Sequence, residues 1–487
     1  MSESFTPCRI DARACERARR TRDARFDGLF FTAVTSTGIY CRPVCPAPAP
    51  KAANVRYFDS AAAAAAAGFR PCLRCRPEAA PGSPLHHARS ELVSGALRLI
   101  ELGALDRGSL AELAQRVGVG ERHLRRLFAQ ELGASPLEVA ATRRLLFAKQ
   151  LLLETHLPIT QVAQGAGYAS LRRFNTAVAA AWGRPPRELR RSTVSTGEAT
   201  DAIVLRLPWR APFDFAQLLA FHARRVIPGV EAVTQLGYRR SIIVDGEPGW
   251  FEVRAVAREP ALALHLHHPR TQALGTIAVR VRRMFDLDAD PRELRTAFAG
   301  DGLLGPLIKR WPGQRLPGAW DGFELAVRAV LGQQVSVAAA RTLAARVAAA
   351  YGQPNPANAP ADVAVLFPTA AQLAQAPLEA QGLTRARAAT IRSLAQAVVE
   401  GRVAFRPEQT LGDFVDSLVA LPGIGAWTAH YIAMRALSQP DAFPAADLIL
   451  RRVAGAGLTL TTRELETLSE RWRPWRAYAV MLLWRAS

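Results

Sequence analysis

The sequence predicts a multi-domain, mainly α-helical protein, on grounds of length, segmentation and apolar spacing. The chain has 487 residues, room for two to four domains at roughly 100–200 residues each. Two stretches rich in Pro, Gly, Ser or Thr, Pro77 to Ser90 and Pro185 to Ala202, read as linkers and cut it into three parts. Apolar spacing is mixed in the first part and helical between about Leu92 and Leu189. It alternates from Ile203 to about Pro269 and is helical again beyond Pro291. The expected order is a small α+β module, an all-α domain, then an α+β subdomain leading into a second all-α domain.

Composition narrows the function classes. A 49% hydrophobic content supports several packed cores and argues against wholesale disorder. The 62 Lys+Arg against 42 Asp+Glu leave a net charge of +20, which favours a polyanionic partner, nucleic acid ahead of a membrane. Three of the basic residues are lysines (Lys51, Lys149, Lys309), so the excess is arginine, as base composition of a genome can produce as readily as selection for phosphate forks. The first 200 residues hold 29 Lys+Arg and 17 Asp+Glu, the remainder 33 and 25, so both halves are basic. The opening MSESFTPCRIDARACERARR has no apolar signal core, and no later run of about 18 apolar residues occurs, so a soluble, cytoplasmic protein is expected, without a membrane partner.

In the first part, extended runs at Leu29 to Val34 and Asn54 to Phe58 precede seven alanines from Ala61, a helix expected to end at Gly68. All six cysteines precede residue 76: Cys8, Cys15, Cys41, Cys45, Cys72 and Cys75. Cys41-Arg-Pro-Val-Cys45 and Cys72-Leu-Arg-Cys75 are C-x3-C and C-x2-C pairs 26 residues apart, a ligand set for tetrahedral Zn2+. Disulfides are the weaker reading in a reducing compartment. Spacing alone leaves a purely structural zinc site open. The strings TSTGIYCRPVC, NVRYF and GFRPCLRC resemble the N-terminal domain of the Ada adaptive-response family over residues 25–78, within a module spanning 1–80. That resemblance implies a reactive site in which Cys41 accepts a methyl group, once per molecule, from a methylphosphotriester in DNA. Loss of one thiolate charge would then ease contact with DNA phosphate. Cys8 and Cys15 lie outside the pattern and are read as ordinary thiols.

Leu110-AELAQRVGVGERHLRRLF reads as helix, Gly118–Gly120 turn, and a second helix bearing Arg122, Arg125 and Arg126. Ile159-TQVAQGAGYASLRRFNTAV repeats the design with Arg172 and Arg173, and a long helix through Arg143 to Leu153 joins the two. A lone helix-turn-helix is also an ordinary packing motif, whereas this tandem pair resembles the AraC-type DNA-binding domain over residues 90–190. Arg125, Arg126, Arg172 and Arg173 are the candidate DNA contacts. Which of them read bases and which hold phosphates stays open.

In the last part, Leu421-Pro-Gly-Ile-Gly-Ala-Trp427 is a Gly-punctuated turn opening a helix, where Gly423 and Gly425 would let backbone N–H groups approach phosphate. With Asp447 in DAFPAADLILRR it resembles the helix-hairpin-helix DNA glycosylases. Together with RLPGAWDGFELAVRAVLGQQVSVAAARTLAARV and ERWRPWRAYAVMLLW, it resembles the AlkA-type 3-methyladenine glycosylases over 203–487. Residues 203–290 suit that family's α/β N-terminal subdomain and 291–487 its helix-hairpin-helix part. The resemblance implies that Asp447 is the catalytic carboxylate, that Trp427 and Trp484 stack on the flipped base, and that Gln334 holds the DNA-wedge position, where an apolar residue is the rule. Asp447 could also serve as an N-cap, and both tryptophans could be core aromatics. No lysine follows Lys309, so a lysine Schiff-base step is not expected. Ala446 precedes Asp447, where some members carry a second acid.

The expected whole is a small α+β zinc domain, an all-α tandem helix-turn-helix domain and an α+β subdomain plus all-α glycosylase. It would sense alkylation damage, activate transcription and excise alkylated purines, with alkylated DNA, a promoter operator and RNA polymerase as partners, as a monomer. The competing expectation is a regulator with structural zinc and a catalytically weak, DNA-binding glycosylase-like domain. No cysteine follows Cys75, so direct reversal at guanine is not expected.

Overall fold

In a computed structural model of the protein, residues 8–82, 90–191, 202–356, 358–455 and 457–487 are described. They fall into two units: Met1–Trp209 with Glu259–His265 and Arg270–Val279, and Arg210–Arg258 with Leu266–Pro269 and Arg280–Ser487.

The first unit begins with helix Ala12–Thr21, capped by the Asp11 side chain. Strand Phe31–Val34 lies between Val55–Phe58 and Ile39–Cys41, antiparallel to both, and Arg70–Pro71 pairs with Ile39–Cys41 in parallel. The alanine run forms helix Ala61–Ala66 behind a Ser60 N-cap, and Gly68 ends it at φ +86°. Ala63 and Ala64 close a small core with Phe31, Tyr40 and Phe58. The parallel pairing matters most, because its Tyr40–Pro71 register brings the two cysteine pairs to one end of the sheet.

Among the described residues eight helices follow: Glu91–Glu101, Ala104–Arg107, Leu110–Arg116, Glu121–Leu132, Pro136–Glu154, Ile159–Gly165, Leu171–Trp182 and Pro186–Arg191. The longest starts at a Ser135/Glu138 capping box with Pro136 at its first position, where the missing N–H costs nothing. Arg143 and Arg144 on it both reach Asp106. A Cβ on Gly167 would stand 2.3 Å from that same carboxylate, and the residue has φ +85°. Only glycine lets the second turn close there. One linker expectation is corrected: Pro186–Arg191 continues the helical domain, since Leu189 is buried within it. Pro77–Ala79 is likewise a 3-10 turn. The remaining linker positions 83–89 and 192–201 lie outside the described residues.

The alternating stretch forms strands at Ile203–Pro208, Glu231–Val233, Gly237–Val244, Glu247–Ala255 and Ala261–His267, with helix Phe215–Ala223. In the second unit Gly237–Val244 pairs antiparallel with its neighbours on either side. Asp245 and Gly246 both have positive φ, the conformation that a two-residue hairpin needs. Among the described residues beyond Pro291 the elements are helical except for two short paired strands, Gln353–Pro354 and Val365–Leu366. The core includes Val327, Val330, Leu394, Ile432 and Leu482. It fixes the N-terminal ends of helices Ala426–Ala436 and Leu448–Ala454 and the last turn of Arg476–Ala486 around one cleft. No described helix is long and apolar enough to cross a membrane.

Candidate functional sites

Cys41 ends its strand, Cys45 follows a turn closed by its own N–H to the Arg42 carbonyl (3.1 Å), and Cys72 donates its N–H to the Tyr40 carbonyl at 3.0 Å. The four sulfurs of Cys41, Cys45, Cys72 and Cys75 lie within 4.8 Å of one another. Zn–S bonds of about 2.3 Å give tetrahedral edges of roughly 3.8 Å, so the set fits Zn2+. Hydrogen bonding to Cys45, Cys72 and Cys75 and burial raise the Cys41 thiol, while contact with Cys41 lowers Cys45 and Cys72, as sulfurs close enough to share protons or one cation do. Arg42 donates its N–H to Cys75 Sγ at 3.3 Å and pairs its guanidinium with Asp27. Cys72 and Cys75 are buried; Cys41 and Cys45 are half-exposed and line a cavity of about 890 Å³ with Thr32, Thr37 and Arg70. Cys8 and Cys15 take no part in the cluster.

The helices Glu121–Leu132 and Leu171–Trp182 repeat one pattern of exposure: Leu124 and Phe128 are buried in the first, Phe174 and Val178 in the second. Arg122, Arg125, Arg126, Arg172 and Arg173 all face solvent. Arg125 pairs with Glu121 at 3.2 Å, and Arg126 meets His123.

In the second unit a cleft of about 1250 Å³ is lined by Gln334, Gly423, Trp427, Tyr431, Asp447 and Trp484. Asp447 caps helix Leu448–Ala454, its Oδ1 accepting the Leu450 N–H at 3.0 Å. Trp427 Nε1 donates to Oδ2 at 3.0 Å and Trp484 Nε1 to Oδ1 at 3.3 Å. Capping and a place in the cleft therefore coexist in one carboxylate, and both tryptophans are half-buried walls of the cleft, Trp484 packing against the core as well. Gly423 has φ +85°, and a Cβ there would stand 2.1 Å from Thr390 Oγ1; Gly425, the N-cap of helix Ala426–Ala436, faces open space. The first-turn N–H groups of that helix are thus accessible to an anion.

Tyr431 and Arg435 escaped the sequence reading. Tyr431 lies four residues after Trp427, one turn along the same helix face, and that spacing was the available signal. Its ring is parallel to Trp427 (5.5 Å, 3°) and tilted against Trp484 (6.3 Å). Burial alone raises the phenol, but Arg435, which donates to its oxygen at 2.8 Å, and Arg225 outweigh burial and bring it down to about 8.

Comparison with known proteins divides the chain as follows. Residues 14–78 match the metal binding domain of Ada, and 113–192 a helix-turn-helix domain. Residues 204–321 match the AlkA N-terminal domain, and 327–477 the HhH-GPD superfamily of base excision DNA repair proteins. A Mycobacterium tuberculosis protein described as a probable bifunctional transcriptional activator/DNA repair enzyme AlkA is 42% identical over 479 residues, covering 97% of this chain and 96% of that one. DNA-3-methyladenine glycosylase 2 of Escherichia coli is 37% identical, covering 57% of this chain and 95% of its own length. The solved 3-methyladenine DNA-glycosylase of Archaeoglobus fulgidus shares the fold, with a TM-score of 0.52 and 22% identity over 57% of this chain and 97% of that one.

Proposed function

The chain belongs to the family of bifunctional transcriptional activator/DNA repair enzymes, and from that premise we propose that it excises alkylated purines from DNA at Asp447 and accepts methyl groups at Cys41. The observation that carries the first activity is the Asp447 carboxylate, held between two indole N–H groups inside one aromatic cleft.

A base such as 3-methyladenine, flipped from the duplex, would stack against Trp427 and Trp484, whose ring faces attract its positive charge. The N-glycosidic bond breaks with its electron pair leaving on the base. Asp447 stabilises the positive charge developing on the sugar and orients the water that adds there and gives up a proton. The alkylated base already carries positive charge, so little acid catalysis is required. Gly423, Gly425 and the first-turn N–H groups beyond them would hold a backbone phosphate.

Zinc, when bound by Cys41, Cys45, Cys72 and Cys75, keeps their sulfurs as nucleophilic thiolates at neutral pH. The Cys41 sulfur attacks the methyl carbon of a methylphosphotriester; an S–C bond forms, the C–O bond breaks, and its electrons stay on the phosphodiester. The thioether is stable, so each molecule acts once. One negative charge is lost at the DNA-facing surface, which strengthens binding through Arg125, Arg126, Arg172 and Arg173 at a promoter operator, where a monomer would recruit RNA polymerase in the cytoplasm.

Incubation with methylated duplex DNA tests the excision. Wild type should release methylpurines and Asp447→Asn almost none; equal release sinks the assignment. For the transfer, DNA bearing methylphosphotriesters should add one methyl mass to the peptide holding Cys41 and Cys45. An unchanged mass would leave the zinc site structural.

A further inference from the structure

Two buried polar atoms without a hydrogen-bond partner among the described residues stand in the wall of the cavity that holds Cys41: Arg19 Nη1 and Thr32 Oγ1. Both residues are more than nine-tenths buried, Arg19 at 7% exposure and Thr32 at 2%. Strand Phe31–Val34 sets Thr32 directly opposite Cys41 in the antiparallel register, so their side chains share one face of the sheet with Cβ atoms about 4.5–5.5 Å apart. Arg19 reaches the same cavity from helix Ala12–Thr21. Glu16, on the preceding turn, accepts from its Nε at 3.1 Å and its Nη2 at 2.7 Å. Tyr57, opposite Thr32 on the other neighbouring strand, donates to the same carboxylate. The guanidinium is therefore fixed along one edge, and its remaining nitrogen is left over.

An unmet buried donor is costly, and folded proteins keep few of them. Two such donors in one wall beside a nucleophile mark the place of an acceptor that arrives from outside. The methyl donor brings one. A methylphosphotriester is neutral, so its phosphoryl oxygen begins as an ordinary acceptor. When the Cys41 sulfur bonds to the methyl carbon, the C–O bond breaks, its electron pair stays on the phosphate, and the phosphate oxygens gain a full negative charge. Donors aimed at those oxygens bind the transition state more tightly than the substrate, which is what speeds a reaction. We propose that Arg19 and Thr32 are catalytic residues of the transfer: they hold the phosphoryl oxygen and stabilise the charge that the phosphate acquires as it loses its methyl group. Both keep their protons, and the product is the phosphodiester anion. The proposal rests on the reading of Cys41 as the methyl acceptor and adds the phosphate site which that reading lacks.

The test uses the full zinc-loaded chain and two duplexes. One carries a single methylphosphotriester. The other carries a single methylphosphonate, whose phosphoryl oxygen is equally neutral but whose methyl group, bonded to phosphorus, is not transferred. Mass spectrometry follows single-turnover transfer from the first; affinity for the second is taken relative to the unmodified duplex, so binding elsewhere on the chain cancels. Thr32→Val keeps the side-chain shape without the hydroxyl, and Arg19→Lys keeps the charge opposite Glu16 without the spare nitrogen. Each should slow the maximal rate roughly ten- to a hundredfold, as expected for a lost hydrogen bond to a charged group, while methylphosphonate affinity falls only about threefold, as for a neutral one. Thr32→Ser should transfer at close to the wild-type rate. Thr32→Val should melt no lower than wild type, since it sheds an unmet polar group. Rates within about twofold of wild type in both variants, or Thr32→Ser as slow as Thr32→Val, overturn the proposal. A wild type that transfers no methyl yet binds the methylphosphonate duplex about threefold more tightly than either variant refutes methyl acceptance and supports the phosphate site. No transfer with equal binding overturns both.

Discussion

Lys149 is wholly buried in helix Pro136–Glu154, yet its ammonium touches three parts of the first unit. Nζ donates to Glu78 Oε2 at 2.8 Å and to the Cys72 carbonyl at 3.2 Å, and it lies 5.9 Å from the ring centre of Trp182, the last residue of helix Leu171–Trp182. Lys149→Met keeps the apolar stem and removes the charge. Glu78, 2% exposed at its side chain, is then left with Arg76 alone, at 3.3 Å. Breaking a buried pair on one side costs about 3–5 kcal/mol; the surviving Arg76 contact places this case near 3 kcal/mol. The double change Lys149→Met with Glu78→Met should recover most of that, since an apolar pair of similar volume often replaces a buried ion pair without loss. The assay is hydrogen exchange of the Arg70 and Cys72 amides and of helix Pro136–Glu154, where 3 kcal/mol appears as roughly a hundredfold faster opening. A single variant within about 0.5 kcal/mol of wild type, or a double variant no better than the single, refutes the reasoning, because either shows that the buried carboxylate needs no cation.

Asp447→Asn keeps the cap through its oxygen but turns an N–H2 onto one of the two indole N–H donors, so it should cost about 1 kcal/mol, while excision falls on the order of a hundred- to a thousandfold. Asp447→Ala loses the cap as well, about 1 kcal/mol more, and thermal melts beside single-turnover release separate stability from excision. Burial pushes the Asp286 carboxyl up to about 7 against the pull of Arg315 and of its hydrogen bonds from the Leu316 N–H and Tyr478 hydroxyl. The native state therefore keeps a proton that the unfolded chain has released, and stability falls as pH rises from about 4 to 7. Asp286→Asn should gain on wild type across that window by a few kcal/mol; an equal difference in urea midpoint at pH 5 and pH 8 would contradict it. Gly423→Ala meets Thr390 in a left-handed conformation and should cost about 1–3 kcal/mol and weaken DNA binding, whereas Gly425→Ala, with open space and φ −89°, should cost less than 1.

The parts legible in the sequence were those with local periodicity or spacing. The two cysteine pairs, the tandem helix-turn-helix units and the Gly423–Trp427 hairpin each announce themselves within about twenty residues. What the sequence does not carry is which distant side chains share a partner. Trp427 and Trp484 are 57 positions apart, and only the packing of helices Ala426–Ala436 and Arg476–Ala486 turns both indoles onto Asp447. Lys149 gave no signal, because a buried lysine in an amphipathic helix reads like any solvated one until Glu78 arrives from another segment. The helix Pro186–Arg191 hid for the opposite reason: Pro-Pro and three arginines resemble a linker, but Pro is favourable in a first helical turn and Leu189 supplies the apolar anchor.

The carboxylates of the second unit differ in what holds them. Glu231 is neutralised by Arg328 and Arg240, Glu324 by Arg240 and Arg328, Asp290 by Arg210 and Arg292, and Asp441 by Arg473 and Arg476. In a chain with a net charge of +20, such pairing is the default fate of a carboxylate. Asp447 and Asp286 depart from it, but only Asp447 lines the cleft: among the described residues its hydrogen bonds come from two indoles and a backbone N–H, all neutral, and no cation lies within ion-pair distance. Neutral donors fix the orientation of the carboxylate without cancelling its charge. Under the excision proposed above, the full negative charge would thereby be kept for positive charge that arrives with the substrate and grows on the sugar as the base departs, which an arginine partner would have spent beforehand.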